Sequence, residues 1–283
     1  MLRRPARSLL TVRRSVPKTG ACSFSSSSNG GKTPTLSNHF AFAAGFAHRV
    51  LFRTGLNKLF EYQEKGVFAD TVGEVRHCMM FVQLHLPQRT NIDLLEFVEG
   101  AKMATEANLR AMNSVEFPEF LANKPRSSSE VADTIKQYTT PVHYNKMALQ
   151  VKKNYLHRHF YIQCEGVEIE KAQLAKVAFA RLTEKQYQDL VEFHKLSKGT
   201  ASPEAIIEYL RLTVDVSTVE NLDIVNLNGK TRHVQHQNVY RVAFESKVTD
   251  PEEVDWRIDS MHIIEQKEIP RTKEESATEK KIN

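Results

Sequence analysis

The sequence predicts an α+β fold, with helices in its first half and an antiparallel sheet in its second half. Apolar residues recur at helical spacing between residues 91 and 113, whereas they alternate with polar residues in 210–216 and 239–248. The Asn228–Gly229 dipeptide, which favours a tight hairpin turn, lies between those two alternating stretches. This order indicates that N-terminal helices pack on one sheet.

The first 35 residues are typical of a mitochondrial presequence. They contain five arginines and a serine-rich stretch, and they contain no acidic residue. A disordered basic arm has the same composition and stays open as an alternative. We predict that residues 1–35 direct the chain to the mitochondrial matrix and are removed there.

The positive charge of the chain is concentrated at its N-terminus. The first 60 residues contain ten Lys and Arg and no acid, while the whole chain has a net charge of +5. The remaining residues therefore carry a net charge of −5. Such a body offers no broad positive surface to nucleic acid, so any phosphate contacts must come from local patches.

Residues 36–90 are predicted to form a linker and an amphipathic helical segment. Apolar and basic side chains alternate at helical spacing between residues 40 and 60, which favours shallow binding to an anionic membrane surface. A helix packed on the domain is an equally supported alternative. Residues 61–87 are interpreted as a connector. The predicted membrane contacts are Phe46, Arg49, Phe52, Arg53, Lys58 and Phe60.

The globular domain is predicted to span residues 91–266. Asn91 is a plausible cap for its first helix, which runs to residue 113 with Asp93 in the first turn. Shorter helices are expected at 117–121 and 129–138, strands at 157–165 and 171–183, and a helix or loop at 184–196.

The last predicted strand follows a turn-rich stretch and begins at the only tryptophan of the chain, Trp256. From there Ile258, Ser260, His262 and Ile264 continue a two-residue period. We expect Trp256 to anchor the core. The Lys- and Glu-rich tail, residues 267–283, is expected to be disordered.

Motifs for enzymatic chemistry are not visible in the sequence. His233 and His236 are three residues apart, which on a strand places them on opposite faces. His157 and His159 would share one face of a strand but have no third ligand at a recognisable spacing. We therefore predict no catalytic residue, no cofactor and no metal site.

Lys152, Lys153 and Arg158 form a local basic patch with the neighbouring histidines. Clusters of Lys and Arg can hold RNA phosphates, so these three residues are candidate rRNA contacts. The alternative is that the patch is the solvated end of a strand.

Three stretches of the predicted domain resemble one known family. They are the helix 97–109, the strand 212–218 with the turn that follows it, and the hairpin from Tyr240 to Ile258. These stretches are similar to the domain named for subunit 44 of the mitochondrial inner-membrane translocase. The resemblance implies a cone-shaped fold of the nuclear-transport-factor-2-like (NTF2-like) type, in which N-terminal helices pack on a curved antiparallel sheet.

The family resemblance also implies a function. The short region ahead of the domain is closest in layout to the family members of the mitochondrial large ribosomal subunit and to the inner-membrane ribosome receptor. The expected function is a non-enzymatic structural component of that subunit, peripheral to the inner membrane, with rRNA, ribosomal proteins and insertion machinery as partners and no small-molecule substrate. A protein-import or assembly factor is the alternative, and a small-molecule enzyme on the same fold ranks third.

Overall fold

The structure is a computed structural model that describes residues 55–123, 129–193 and 206–269. Four strands form one antiparallel sheet, and each strand pairs with its neighbours in sequence. The predicted α+β class is confirmed. The strands are β1, Phe160–Leu182; β2, Ile207–Asn226; β3, Thr231–Lys247; and β4, Arg257–Ile269.

Helices precede the sheet, and one further helix connects its first two strands. They are α1, Gly55–Glu64; α2, Glu74–Leu84; α3, Leu94–Met112; α4, Glu116–Ala122; α5, Glu130–Tyr138; α6, Pro141–Arg158; and α7, Glu184–Phe193. A 3₁₀ turn, Pro251–Glu253, lies between β3 and β4.

The main core lies between α1, α2, α3 and one face of the sheet. Trp256 is 2% exposed. Its ring centroid lies 4.9 Å from that of Phe97 on α3, and Phe97 also makes an edge contact with Phe244 on β3. The helix is capped by Asp93, whose carboxylate accepts the Leu95 N–H at 2.9 Å. The predicted cap, Asn91, is therefore wrong by two residues, because the carboxylate two positions later is the acceptor for the first turn.

Two smaller apolar clusters extend the core. One joins α4, α5 and α6, and the other joins α7 to the end of the sheet where β1 meets β2. The members of the second cluster are Leu182, Leu190, Ile207 and Tyr209. Because α7 covers this end on the face opposite α3, the sheet is packed on both faces there.

Residues 55–90 belong to the globular domain. Leu59 and Tyr62 of α1 and Phe81 and Leu84 of α2 are buried in the main core. Between these helices the chain pairs with the edge strand, since the Leu174 N–H donates to the Val67 carbonyl at 2.7 Å. Over residues 55–60 the structure shows the predicted alternative of a helix packed on the domain, whereas the connector predicted over residues 61–87 is wrong. The apolar residues of this region belong to two short helices and to the turn between them. No single hydrophobic period therefore runs through the region.

Strand β1 is one continuous strand of 23 residues. Its pairing with β2 skips Glu165, Glu170 and Ala175, so three β-bulges follow one another at five-residue intervals. Bulges bend a strand and increase its twist, and here they curve the edge of the sheet. The prediction of two separate strands is wrong because each bulge interrupts the alternation on which it relied.

Helix α6 also corrects the sequence analysis. It begins after Thr140, whose hydroxyl accepts the His143 N–H at 3.2 Å, and it runs to Arg158. His159 then ends the helix in the left-handed conformation, with φ of 54°. The predicted strand from residue 157 is wrong, and His157 and His159 do not share a strand face. A left-handed residue other than glycine has little signal in sequence.

Strand β4 contains two irregularities that change which side chains face the core. Its pairing with β3 skips Asp259 and Ile264. Met261 and Ile263 therefore lie opposite the core-facing Val242 and Tyr240, and the predicted single period through Ser260 and His262 is wrong. The strand runs to residue 269, beyond the predicted start of the tail, and residues 270–283 lie outside the described part of the chain.

Candidate nucleic-acid interface

The C-terminus of α6 meets the β2–β3 hairpin at one end of the sheet. The His159 carbonyl accepts the Leu227 N–H at 2.9 Å, and Phe160 pairs with Asn226 at the last rung of β2. In the hairpin, Gly229 has a φ of 86°, a left-handed conformation that glycine adopts without strain. These contacts hold the last turn of α6 against the tip of the hairpin.

Helix α6 carries an unusual charge for this chain. Its 18 residues include four Lys and Arg and no acidic residue. His157 and Arg158 occupy its last turn, where positive charge offsets the negative end of the helix dipole. We call Lys152, Lys153, Arg158 and the flanking histidines 157 and 159 the basic end.

The cations of the basic end lie at the surface and have no acidic partner in the described part of the chain. Lys153 and Arg158 are exposed and Lys152 is half-buried. Among the residues that the structure describes, none of the three forms an ion pair. Nearby on β3 the situation is different, because Arg232 binds Glu268 at 2.8 Å and His233 binds Asp223 at 2.5 Å. The basic end therefore keeps its charge available for an external anion.

A small cleft lies beside the basic end, between α6 and the start of β1. Its volume is about 40 Å³, well below that of a pocket for a small-molecule substrate. Its walls include Met112, Asn113, Asn154, Phe160, Tyr161 and Ile162. The Tyr161 ring also lies 6.3 Å from that of Tyr155 on α6. Aromatic, apolar and amide groups thus meet next to unpaired cations.

The predicted membrane contacts fall into two groups. Four of them, Phe46, Arg49, Phe52 and Arg53, lie outside the described residues. Lys58 on α1 forms an ion pair with Asp93 at 3.0 Å, whereas Phe60 is 62% exposed. The structure brings Lys58 to the cap of α3 and leaves Phe60 on the surface.

The pKa shifts of this pair follow from their contact. Burial lowers the pKa of Lys58, but the hydrogen bond to Asp93 and its negative charge outweigh burial, so the net shift is upward. Burial raises the pKa of Asp93, but the hydrogen bonds from Lys58 and from the Leu95 N–H, together with the positive charge of Lys58, outweigh burial, so the net shift is downward. Both shifts favour the charged pair, so Lys58 is engaged within the domain.

Two polar networks inside the sheet have no counterpart in the sequence analysis. On the helix-facing side, Glu220 is 1% exposed and its carboxylate accepts hydrogen bonds from three side chains. The donors are Thr218 Oγ1 at 2.6 Å, Asn238 Nδ2 at 3.0 Å and Tyr240 OH at 3.2 Å. Burial raises the pKa of Tyr240 far above its usual value, which keeps its hydroxyl a donor. Three donors satisfy the buried carboxylate.

The second network lies on the other face, where Tyr209 OH donates to Glu245 Oε2 at 2.6 Å. The bulge in β4 places Asp259 beside this pair, and Arg211 binds Asp259 at 2.5 Å. Burial, followed by the negative charge of Asp259, raises the pKa of Glu245 to about 7. The sequence pattern could not reveal this cluster, because it depends on the extra residue in β4.

The histidines considered as metal ligands have other partners or lie apart. His236 Nδ1 lies 3.1 Å from Gln266 Nε2, and His233 binds Asp223. Across residues 55–123, 129–193 and 206–269, no three His, Cys, Asp or Glu side chains are close enough to hold one metal ion. In the same ranges, no helix combines the length and apolar character required to cross a membrane.

Comparison of the chain with models of protein families and with curated proteins found no match.

Proposed function

We propose that this chain is a non-enzymatic component of the mitochondrial large ribosomal subunit that binds rRNA through the basic end and lies at the inner membrane. The observation that carries the proposal is the charge of α6. Four cations and no acid occupy 18 residues of a chain whose body is acidic, and the three nearest the hairpin are unpaired among the described residues.

Phosphate binding is the chemistry that such a patch supports. Each Lys or Arg that neutralises a phosphate releases condensed counterions, which makes binding weaken as salt increases. Contacts of this kind position an RNA and do not select a sequence. The rigid attachment of α6 to the hairpin, through His159 and Leu227, suits a protein that holds one place on a large RNA.

The proposed fold is the NTF2-like cone. It is supported by the long bulged edge strand, which curves the sheet, and by α1, α2 and α3 on the helix-facing side. A matrix location is supported by the composition of residues 1–35.

Membrane contact is proposed for the apolar and basic residues ahead of α1 together with Phe60. Lys58 is left out because it binds Asp93. Changing Arg49 and Arg53 to Glu should release the full chain from cardiolipin-containing vesicles, since each cation gains about 1 kcal/mol at an anionic surface. Flotation with vesicles measures this. Unchanged flotation of the double variant would mean that the contact is not made by these arginines.

A second candidate function, a protein-import or assembly factor, is favoured by the exposed apolar residues of α1 and α2. Leu56 and Phe60 are one turn apart on α1, and Val75 and Met79 are one turn apart on α2; all four are exposed. Apolar residues at this spacing are suited to a partner protein. In that case the chain would sediment with the translocase and not with the ribosome.

The test is sedimentation of mitochondrial lysates that contain the chain or its charge variants. The RNA-contact variant is Lys152→Glu, Lys153→Glu and Arg158→Glu. The control reverses three exposed lysines elsewhere that also form no ion pair with described residues: Lys176→Glu, Lys185→Glu and Lys267→Glu. Both variants change the net charge equally, so a difference between them reports position and not total charge.

We expect the parent and the control to sediment with the large subunit and the RNA-contact variant to remain in the light fractions. In binding assays with purified chain and single-stranded RNA, the variant should also lower the salt slope of the affinity by about 2, since each single-strand phosphate contact contributes about 0.7. Equal sedimentation of both variants with the large subunit would refute rRNA binding through the basic end.

A further inference from the structure

The cleft beside the basic end is lined by an amide that no described residue engages. Asn113, one of its lining residues, is 9% exposed, and its side chain makes no hydrogen bond with the residues that the structure describes. Its backbone is fully used, because its N–H donates to Leu109 and its carbonyl accepts the Cys164 N–H at 2.6 Å. The position of Asn113 is therefore fixed while its amide stays unpaired. The amide therefore lies at the wall of the cleft, where a ligand can reach it.

The other groups of the cleft define what that partner is. Asn154 accepts a hydrogen bond from Gln150 at 3.3 Å, which leaves its own N–H groups unpaired within the described chain. Phe160 and Tyr161 contribute aromatic rings. Amides form paired hydrogen bonds with the edges of nucleic-acid bases, and aromatic rings stack on their faces. The small volume of the cleft, about 40 Å³, fits the edge of one planar ring and not a whole substrate.

One cation of the basic end, Arg158, is in position to hold a phosphate next to such a base. Arg158 follows Asn154 by four residues on α6, so both side chains lie on the same face of the helix, one turn apart. Lys152 and Lys153 immediately precede Asn154. Positions one and two residues before Asn154 point to other sides of the helix, so Arg158 is the cation that a phosphate next to the base meets, and Lys152 and Lys153 contact phosphates further along the strand.

We infer that the cleft takes the edge of one unstacked base of single-stranded RNA, with Asn113 and Asn154 contacting that edge, Arg158 contacting an adjacent phosphate, and Lys152 and Lys153 contacting phosphates further along the strand. The inference rests on the proposed RNA binding and specifies its substrate as a loop, bulge or free strand. In an A-form duplex the bases are stacked and paired, and the major groove is too narrow for side chains, so a duplex cannot present a base to the cleft.

The test compares two RNA probes that differ only in strandedness. One is a single-stranded oligoribonucleotide of about 10 residues with 2-aminopurine near its centre, and the other is the same strand annealed to its complement. Fluorescence anisotropy measures the affinity of the purified chain, and the 2-aminopurine intensity reports whether the base leaves its neighbours. We expect tighter binding of the single strand and a change in intensity when it binds.

Two cleft variants separate base binding from phosphate binding. Asn113→Leu and Tyr161→Leu should each weaken binding of the single strand about 10-fold, leave duplex binding unchanged and preserve the salt slope. Asn145→Leu, an exposed position near the start of α6, is the matched control and should have no effect. Thermal unfolding checks that each variant is folded, and Asn154→Leu replaces Asn113→Leu if that variant is not.

Each remaining outcome has a defined meaning. If the charge variant at Lys152, Lys153 and Arg158 loses RNA binding but the folded cleft variants bind the single strand as well as the parent does, base insertion is wrong and phosphate binding stands. Equal affinity for both probes, or an unchanged 2-aminopurine signal, overturns the inference in the same way. If the charge variant binds RNA like the parent, the proposed function itself fails.

Discussion

The two ends of the sheet differ in the burial of their side chains and in the pairing of their charged groups. At the end where β2 begins, α7 covers one face and α3 the other, and Trp256 and Phe244 are buried between helix and sheet. The buried carboxylate at this end, Asp259, is bound by Arg211. At the basic end, α6 and the hairpin leave unpaired cations on the surface. The core packing that stabilises the fold and the surface where we propose RNA binding therefore lie at opposite ends of the same strands.

The largest change in the free energy of unfolding is expected at the end of the sheet where β2 begins. Trp256→Ala removes a side chain that contacts Phe97 in the main core, and the cavity should lower the free energy of unfolding by about 3 to 5 kcal/mol. Urea unfolding measures the change. Under conditions in which Trp256→Ala is folded, its affinity for RNA should equal that of the parent. Reduced RNA affinity in the folded variant would show that the two ends are coupled.

The second effect is a dependence of stability on pH. The pKa of Glu245 is raised from 4.5 to about 7 in the folded chain, so between those values the folded state binds a proton that the unfolded state lacks. The free energy of unfolding should therefore fall as the pH rises from 4.5 to 7, by up to about 3 kcal/mol from this group, and level off above 7.

Glu245→Gln isolates this contribution. The amide keeps a carbonyl acceptor for Tyr209 and removes the repulsion with Asp259, so the variant should lose the fall in stability between pH 4.5 and 7. Urea unfolding at several pH values measures it. Glu192→Gln, an exposed glutamate of α7, is the control and should keep the parent's profile. If the free energy of unfolding of Glu245→Gln still falls between pH 4.5 and 7, another residue is the titrating group.

A smaller change in the free energy of unfolding is expected where α1 contacts α3. Lys58→Met removes the ion pair with Asp93, whose side chains are 34% and 38% exposed, so the free energy of unfolding should fall by less than about 1 kcal/mol. The control is Lys65→Met, which breaks the local pair with Glu61 on α1. A loss above 2 kcal/mol, on the order of a buried pair, would show that the contact holds α1 in the fold.

The smallest changes in stability per site are expected at the lysines of the basic end. Replacing Lys152, Lys153 and Arg158 by Glu breaks no ion pair among the described residues, so the free energy of unfolding should fall by no more than about 0.5 kcal/mol at each lysine and by about 1 kcal/mol at Arg158, which faces the helix dipole. Thermal unfolding beside the parent measures this. A much larger loss would mean that these cations stabilise the end of α6, and the contrast between the two ends would be lost.

The sequence alone determined the elements whose signal is local. Strict alternation located the central part of β2 and most of β3, apolar spacing located α3, and Asn228–Gly229 located the hairpin. These patterns are readable because each residue in a regular strand or helix has a fixed direction relative to its neighbours. The cations of the basic end were also visible, since charge is a property of composition.

The tertiary structure decided the features that depend on residues far apart in the chain. The bulges at Glu165 and Asp259 exist only relative to a partner strand, and the second of them brings a carboxylate to Glu245. The place of α1 and α2 in the core, and the meeting of Asn113 with Asn154, depend on packing between separate elements. Pairing register and burial are set by contacts across the fold, so the amphipathic pattern of residues 40–60 was compatible with both a membrane and a protein core.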